Sequence, residues 1–347
     1  MLLAVVLSSY NNESTINRSV ESVLEIKKKL INWKVRVLIV DDASSDKTAS
    51  IIKEYDRNND DITVKIFKRN KGVSRSRNYG IKNNLNSDYV LFLDADDELD
   101  IKLINFLNLK NLDADLYSFD FTVINDSQKK LITHMRRSKI FGDKSISNYF
   151  SSYLLKPNRH SMFVTCWAKL FKTSIIKKNN VFFKENMNIY EDAEFIFRFL
   201  RSCKIIHYIK IPSYKYYVPN SKSRASFGVN WNVSQLFSFI IALRQLKFFL
   251  INIGNNPIEI NKKIFHCMGA YSCISSTRAW IRVENFKDFI KMQHALSFIY
   301  KKSLLKIIFR LYDAQLAEGN LLATFMVRHG FYRVASVLFF ISAKLRY

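Results

Sequence analysis

The chain has 347 residues, 48% of them hydrophobic, with only 8 Gly and 4 Pro. That composition describes a folded, helix-rich chain long enough for two domains, and it excludes a disordered or low-complexity protein. The formal charge is +24, yet the first hundred residues are neutral, with 16 basic and 16 acidic side chains, so the excess lies entirely beyond them.

The opening "LLAVVLS" is a continuous apolar run, the pattern of a strand covered on both faces. It lacks the basic start and small-residue cleavage site of a secretory leader. Ile16, Val20, Val23, Leu24 and Leu30 then recur at helical spacing, with Asn12 or Ser14 expected as N-cap. "VRVLIV" (35–40) predicts a second strand, and "SSDKTASIIKEY" a helix capped by Ser45 or Asp46. "TVKIF" (63–67) predicts a third strand. "GVSRSRNYGIKNN" predicts a helix that Gly72 precedes, and "YVLFL" (89–93) a fourth strand. Strand–helix alternation of this kind implies an open, mostly parallel α/β sheet. Residues 101–215 are mixed, with the apolar segment "DLYSFDFTVI" and a helix from Glu191 to Leu200. From about Trp231 the pattern becomes helical and basic, with a boundary expected near 219–230.

Open parallel sheets bind ligands beyond the carboxyl ends of their strands. "SYNNE", "DDASSD", "KRNKG" and "DADD" follow the four predicted strands in turn and together outline one cleft. In an extended segment Asp94 and Asp96 project to one side and Asp97 to the other. Two carboxylates at a strand end suit Mg²⁺ or Mn²⁺, with a diphosphate supplying further oxygens. Acids beside a helix N-terminus are the competing explanation, readier for Asp97, Glu98 and Asp100 than for the DxD. Asp41 or Asp42 is placed to accept from a nucleobase imide N–H. Arg75 and Arg77, on the helix after Gly72, are placed to pair with the acids or with phosphate.

The ordered set "SYNNE", "VDDASSDKT", "RNKGVSRSRNYG" and "LFLDADD", extended by "CWAKLFK" and "YEDAEF", resembles the family-2 glycosyltransferases over roughly residues 3–215. Ala43 departs from the glycine more usual in the "DDGS" of that family. The resemblance implies a glycosyltransferase-A fold, Rossmann-like and mostly parallel, occupying 1–218 as a nucleotide-binding half (1–100) and an acceptor half (101–218). A basic helical domain (219–347) follows.

It also implies roles. Tyr10 and Asn12 would flank the nucleotide, and Asp42 or Asp41 would read uracil. Asn70, Arg75 and Arg77 would complete the donor pocket, Asp94 would reach ribose or metal, and Asp96 would bind Mn²⁺ or Mg²⁺. Asp192 would be the catalytic base, with Glu191, Trp167 and Lys169 near the acceptor. Bottom-up, Glu191, Asp192 and Glu194 equally read as first-turn acids that offset a helix dipole. Asp192 shares the face of Phe195, Ile196 and Phe199.

The implied activity is inverting transfer of a hexose or N-acetylhexosamine from a UDP-sugar. The expected acceptor is a surface glycan, lipooligosaccharide or capsule, on a lipid carrier. The alternative is a non-catalytic binder of polyanions or membranes with a degenerate nucleotide-sugar fold. A receiver module is excluded because "KIFKRN" offers no phospho-acceptor aspartate after the third strand. Nucleic acid is not expected as a partner, since no basic helix or aromatic platform is clearly recognisable.

The cysteines Cys166, Cys203, Cys267 and Cys273 form no CxxC pair, which fits free thiols in a reducing compartment. No run of eighteen apolar residues predicts a membrane span. The expected location is cytoplasmic, peripheral on the inner face of the plasma membrane. There "FYRVASVLFFISAKLRY" would meet anionic lipid or, alternatively, form a dimer interface.

Overall fold

The computed structural model describes residues 1–347 except 109–111, 126–127, 158, 188, 219–232, 281–282, 284, 317–319 and 347. Trp231 and the boundary expected near 219–230 lie outside the described residues. The chain divides into two compact units, one of Met1–Gly142 with Met162–Asn220 and one of Asp143–Ser161 with Ser221–Tyr347.

The first unit begins β1 (Leu2–Ser9), α1 (Ile16–Lys29), β2 (Lys34–Asp41), α2 (Thr48–Asn58), β3 (Ile62–Ile66), α3 (Val73–Lys82) and β4 (Tyr89–Asp94). It continues with β5 (Glu98–Leu99), α4 (Leu103–Leu107), β6 (Leu116–Ile124), β7 (Lys129–Ile132) and β8 (Lys139–Phe141). After α5 (Asp143–Leu155), which belongs to the second unit, come β9 (Lys169–Lys172), α6 (Thr173–Asn179), α7 (Glu191–Leu200) and β10 (Ile206–Tyr217). The strands form one sheet in the order β3-β2-β1-β4-β9-β6-β10-β5, with β7 added on β6 and β8 on β10.

Strands β3, β2, β1 and β4 run parallel, and β9 is antiparallel to both β4 and β6. The strand order reverses between β1 and β4, which opens a crevice at their carboxyl ends. Ser9 pairs with Asp41 in register, and Ser8 with Asp94, so the polar strand ends stand side by side. Continuous burial of Leu3 to Leu7 and of Val90 to Leu93 explains the uninterrupted apolar runs. A Cβ at Gly80 would stand 2.2 Å from a Val6 methyl, so α3 reaches β1 this closely only with glycine there.

Two expected caps are absent. Helix α1 starts at Ile16, after Thr15; the Asn12 carbonyl accepts from Thr15 and Ile16 while its side chain turns back to the Tyr10 N–H. Helix α2 starts at Thr48, and Asp46 accepts from the Thr48 and Glu13 N–H groups just outside it.

The second unit contains α5 and α8 (Val233–Asn252), α9 (Pro257–Ala279), α10 (Phe286–Tyr300), α11 (Ser303–Leu311), α12 (Leu321–Arg328) and α13 (Tyr332–Arg346). Asn256, Asn285 and Asn320 cap α9, α10 and α12 through their side chains. His266 Nδ1 accepts from the Asp313 N–H at 3.2 Å, so its Nε2 donates to the Leu155 carbonyl at 3.0 Å; one neutral tautomer joins α5, α9 and the chain after α11. Burial holds its pKa below the usual value.

Within α8 the stretch Ser234–Asn252 is long and apolar enough to cross a membrane by length and composition alone. The rule of eighteen consecutive apolar residues missed it because Gln235, Arg244 and Gln245 interrupt the run. Leu236, Phe239, Leu243, Leu246 and Leu250 of α8 are buried at three- and four-residue spacing, as in a core helix. The C-terminal segment read as lipid-facing forms α13, with Phe339 buried and Val334, Ile341 and Leu345 exposed. All four cysteines are free.

Candidate active site

The cleft is organised by one side chain. Arg77 lies on the sheet-facing side of α3 and is 4% exposed. Its Nη2 pairs with Asp94 at 2.9 Å, and its Nη1 with Asp192 at 2.7 Å and Glu191 at 3.4 Å. Residues 17, 114 and 115 positions apart are thus joined by a single guanidinium. Burial opposes its charge, but Asp192, Asp94 and Glu191 outweigh that and push its pKa up. The guanidinium also lies over Phe183, 5.3 Å from the ring centre.

Helix α7 delivers the two acids. Phe195, Ile196 and Phe199 are fully buried, and Phe195 stacks on Phe183 with ring centres 4.1 Å apart. Asp192, on the same face, is turned inward. Its second oxygen accepts from the Cys166 N–H at 2.9 Å, so both oxygens are oriented by protein donors. Glu191 is pushed up to about 7, first by burial and then by Asp192, with Arg77 opposing.

The DxD segment is a turn and not an extended strand end. Strand β4 ends at Asp94, and the Asp97 N–H closes back on the Asp94 carbonyl at 3.1 Å. The alternation that was to align Asp94 with Asp96 therefore does not operate. Asp97 points inward, accepting from Tyr214 Oη at 2.9 Å and the Tyr217 N–H at 2.8 Å. Burial, with the charge of Asp94, pushes it up to about 7. Glu98 sits on β5, pairing with Arg18 and Lys215, while Asp100 accepts from the Lys102 N–H before α4. The helix-dipole explanation thus fails for Asp97 and Glu98, and Asp100 lies ahead of Lys102, the N-cap of α4, outside its first turn.

The turn is held by polar side chains of α1 and of Thr15, the residue that precedes it. Thr15, Arg18 and Ser19 donate to the carbonyls of Ala95, Asp96 and Asp97, and Ser22 accepts from the Leu99 N–H. These residues stand at i, i+3, i+4 and i+7 on one helix face. This polar stripe is visible in the sequence by its spacing, beside the apolar stripe of Ile16, Val20, Val23 and Leu24.

Asp41 is fully buried, accepting from Ser9 Oγ at 3.0 Å and from the Ser44 N–H at 2.9 Å. Both Asp42 oxygens accept backbone N–H groups, Lys71 at 2.8 Å and Gly72 at 2.7 Å. Turn chemistry therefore engages the paired aspartates too. Asp42 fixes the loop that carries Asn70, which is exposed, as is Tyr10 at the end of β1. Asn12 accepts from the Tyr10 N–H and donates its own to Thr48.

Arg75 is not with Arg77. It points to the other side of α3 and pairs with Glu185 at 3.5 Å. Trp167 is buried between Tyr214 and Tyr216, stacked at 4.9 and 5.4 Å. Lys169 is buried as well, donating to Thr165 and to the Trp167 carbonyl. Burial brings its ammonium down to about 7, with Asp192 opposing. Tyr214, absent from the sequence reading, joins this wall to the turn by donating to Asp97 and accepting from the Asp94 N–H.

Among the described residues no group of three or more His, Cys, Asp or Glu is arranged to hold a metal. Asp94 is engaged by Arg77, and Asp96 is half-buried at the turn. Such a pair fits Mg²⁺ or Mn²⁺ only together with ligand phosphate oxygens, a mode in which one or two carboxylates suffice.

The family model "Glycosyl transferase family 2" matches residues 4–179. The poly(ribitol-phosphate) β-N-acetylglucosaminyltransferase TarP of Staphylococcus aureus is 28% identical over 271 residues, 76% of this chain and 76% of TarP. The teichoic acid poly(glycerol phosphate) polymerase of Staphylococcus epidermidis is 26% identical over 61% of this chain. The chain spans only 28% of that polymerase's length. The first name specifies a poly(ribitol-phosphate) acceptor and the second a teichoic acid, and neither names the lipooligosaccharide or capsule expected from the sequence. The crystal structure of S. aureus TarS 1–349 with UDP-GlcNAc shares the fold, with a TM-score of 0.66 over 100% of this chain and 93% of that one. Sequence identity with it is 16%.

Proposed function

The chain belongs to glycosyl transferase family 2 and is a glycosyltransferase, and from that premise we propose an inverting transfer from a UDP-linked hexose or N-acetylhexosamine to a polyol-phosphate chain of the teichoic acid kind. The observation that carries the reading is the Arg77 bridge, which draws the β4 acid Asp94 and the α7 acids Asp192 and Glu191 into one cleft. The relatives' names support the acceptor class, and the UDP-GlcNAc complex of a protein with the same fold supports the donor class.

In this reading Asp192 takes the proton of an acceptor hydroxyl as that oxygen attacks the anomeric carbon. The bond from that carbon to the diphosphate oxygen breaks, and UDP leaves with its electron pair. Arg77 and the Cys166 N–H hold the carboxylate in one orientation, as a base at an active site requires. Asp96, with Asp94 beside it, would hold Mn²⁺ or Mg²⁺ against the diphosphate. When bound, the ion supplies Lewis-acid stabilisation of the departing charge. Asp42 shapes the nucleobase pocket through the loop of Asn70, with Tyr10 and Asn12 at its rim. Trp167 and Lys169 act behind the acceptor wall, since both are buried.

A second reading makes Glu191 the base, because its pKa of about 7 matches proton transfer near neutral pH. Replacing each acid separately by its amide distinguishes the two. Asp192→Asn should slow transfer by ~10²–10⁴-fold while UDP affinity stays near that of the parent protein. Transfer within threefold of the parent (about 0.7 kcal/mol of barrier) would remove Asp192 from the role and leave Glu191.

A further inference from the structure

The two faces of α3 do different work. Arg77, Gly80 and Ile81 are buried toward the sheet, whereas Arg75, Asn78, Tyr79 and Lys82 recur at i, i+3, i+4 and i+7 along the other side. That second side lines a groove of about 690 Å³ with Lys65, Phe67, Lys68, Arg69 and Lys71 of β3 and the loop after it. Six lining residues are basic, and the sole acid, Glu185, is already paired with Arg75. Lys65, Lys68, Arg69, Lys71 and Lys82 have no ion pair among the described residues. The floor is aromatic: Phe67 and Tyr79 meet edge to face at 5.8 Å, with Lys71 over one ring and Lys65 over the other.

This charge is not spread evenly over the first hundred residues, which are neutral as a whole. Like charges gathered round one concavity repel each other, and an anion that enters removes that repulsion. The volume suits a ligand of several linked units rather than a single small ion. Rings on the floor suit the carbon skeleton between charged groups, while flexible lysines suit phosphates whose positions vary. The groove also adjoins the proposed donor site, because Asp42 holds the backbone of Lys71 and Gly72 between them.

We propose that this groove holds the phosphodiester chain of the acceptor at a distance from the reacting hydroxyl, a role that rests on the acceptor class proposed above. One stretch of the polymer is gripped on the outer face of α3 while another enters the cleft on its inner face. Successive transfers then occur without full release of the chain, since a tethered hydroxyl meets the cleft at raised effective concentration.

The test uses the full chain and a fluorescent glycerol phosphate oligomer in anisotropy titrations across a range of salt. Lys65→Glu, and separately Lys82→Glu, alter groove side chains that have no part in the proposed catalytic or donor machinery. Each variant should bind the oligomer at least about tenfold more weakly, with a shallower dependence of log affinity on log salt. UDP affinity should stay unchanged. Oligomer affinity equal to the parent's in both variants would overturn the proposal. So would tighter binding of a single-stranded oligonucleotide of equal charge that the same substitutions abolish, which would make the groove a nucleic-acid site. Binding is read without donor or turnover, so loss of transfer activity alone would count against the enzymatic reading and not against the groove.

Discussion

Arg77→Met isolates what the buried guanidinium contributes. The native side chain is 4% exposed and pairs with three carboxylates whose own side chains are 29%, 16% and 16% exposed. At an effective dielectric near 20, one pair about 4 Å apart gains ~4 kcal/mol before desolvation is counted. Removing one partner of a buried ion pair costs ~3–5 kcal/mol, because the remaining charges lose their compensation. Methionine fills much of the volume, so most of the loss is electrostatic.

The sign of the pH dependence follows. Without Arg77 the folded-state pKa of Glu191, which stands at about 7 from burial even with the arginine opposing it, rises further above its unfolded value. The folded variant then binds more protons than the unfolded chain from about pH 4 upward, and its stability falls as pH rises. The deficit relative to the parent should therefore be about 3–5 kcal/mol near pH 8 and shrink markedly near pH 5. Urea unfolding followed by tryptophan fluorescence at the two pH values measures it, since Trp33 and Trp167 both lie in the first unit. A deficit below about 1 kcal/mol, or one equal at both pH values, would refute the bridge as an electrostatic keystone.

Glu191→Gln should remove an ionisation near pH 7 from the pH profile of kcat/KM; if Glu191 must be ionised, the parent's rate rises with pH through about 7 and the variant's does not. Asp96→Ala should abolish any Mn²⁺-dependent gain in UDP affinity, measured by calorimetry with and without the ion, while the unfolding curve is unchanged; an unaltered gain would count against Asp96 as the metal residue. Ala43 has φ 64°, so Ala43→Gly should raise stability by about 0.5–1 kcal/mol in urea unfolding.

The parallel half of the sheet was legible because burial on both faces demands uninterrupted apolar strands, and strand ends in such a sheet must carry the ligand. The helix of Glu191 to Leu200 was legible from Phe195, Ile196 and Phe199. What escaped depended on partners remote in sequence. Asp97 turns inward for Tyr214 and Tyr217, over a hundred residues away, and local alternation holds no trace of that competition. Trp167 is enclosed by Tyr214 and Tyr216 for the same reason. The separation of Arg75 from Arg77, by contrast, was available in the sequence. Residues two apart on a helix diverge.

Strain marks the same places. Ala43, Ala168 and Tyr190 all adopt left-handed backbone, with φ of 64°, 53° and 62°. For residues with a Cβ this costs ~1–2 kcal/mol each, and it persists only where the surroundings over-determine the chain. Hydrogen bonds or packing hold the chain at each. Ala43 lies between Asp42, which holds the 71–72 backbone, and Ser44, bound to Asp41. Ala168 lies between stacked Trp167 and buried Lys169, and its carbonyl accepts from Phe119. Tyr190 immediately precedes the two acids held by Arg77, and its carbonyl accepts from the Glu194 N–H. A left-handed residue reverses the chain within one step, so a strand or loop can deliver a polar group to the cleft and return at once to the core. The three reversals serve the loop after β2, the chain entering β9 and the start of α7, the segments that carry Asp42, Trp167 and Asp192. Rigid placement of those groups would serve the single displacement proposed above, because misplacement of a base by about 1 Å can cost ~10²-fold in rate.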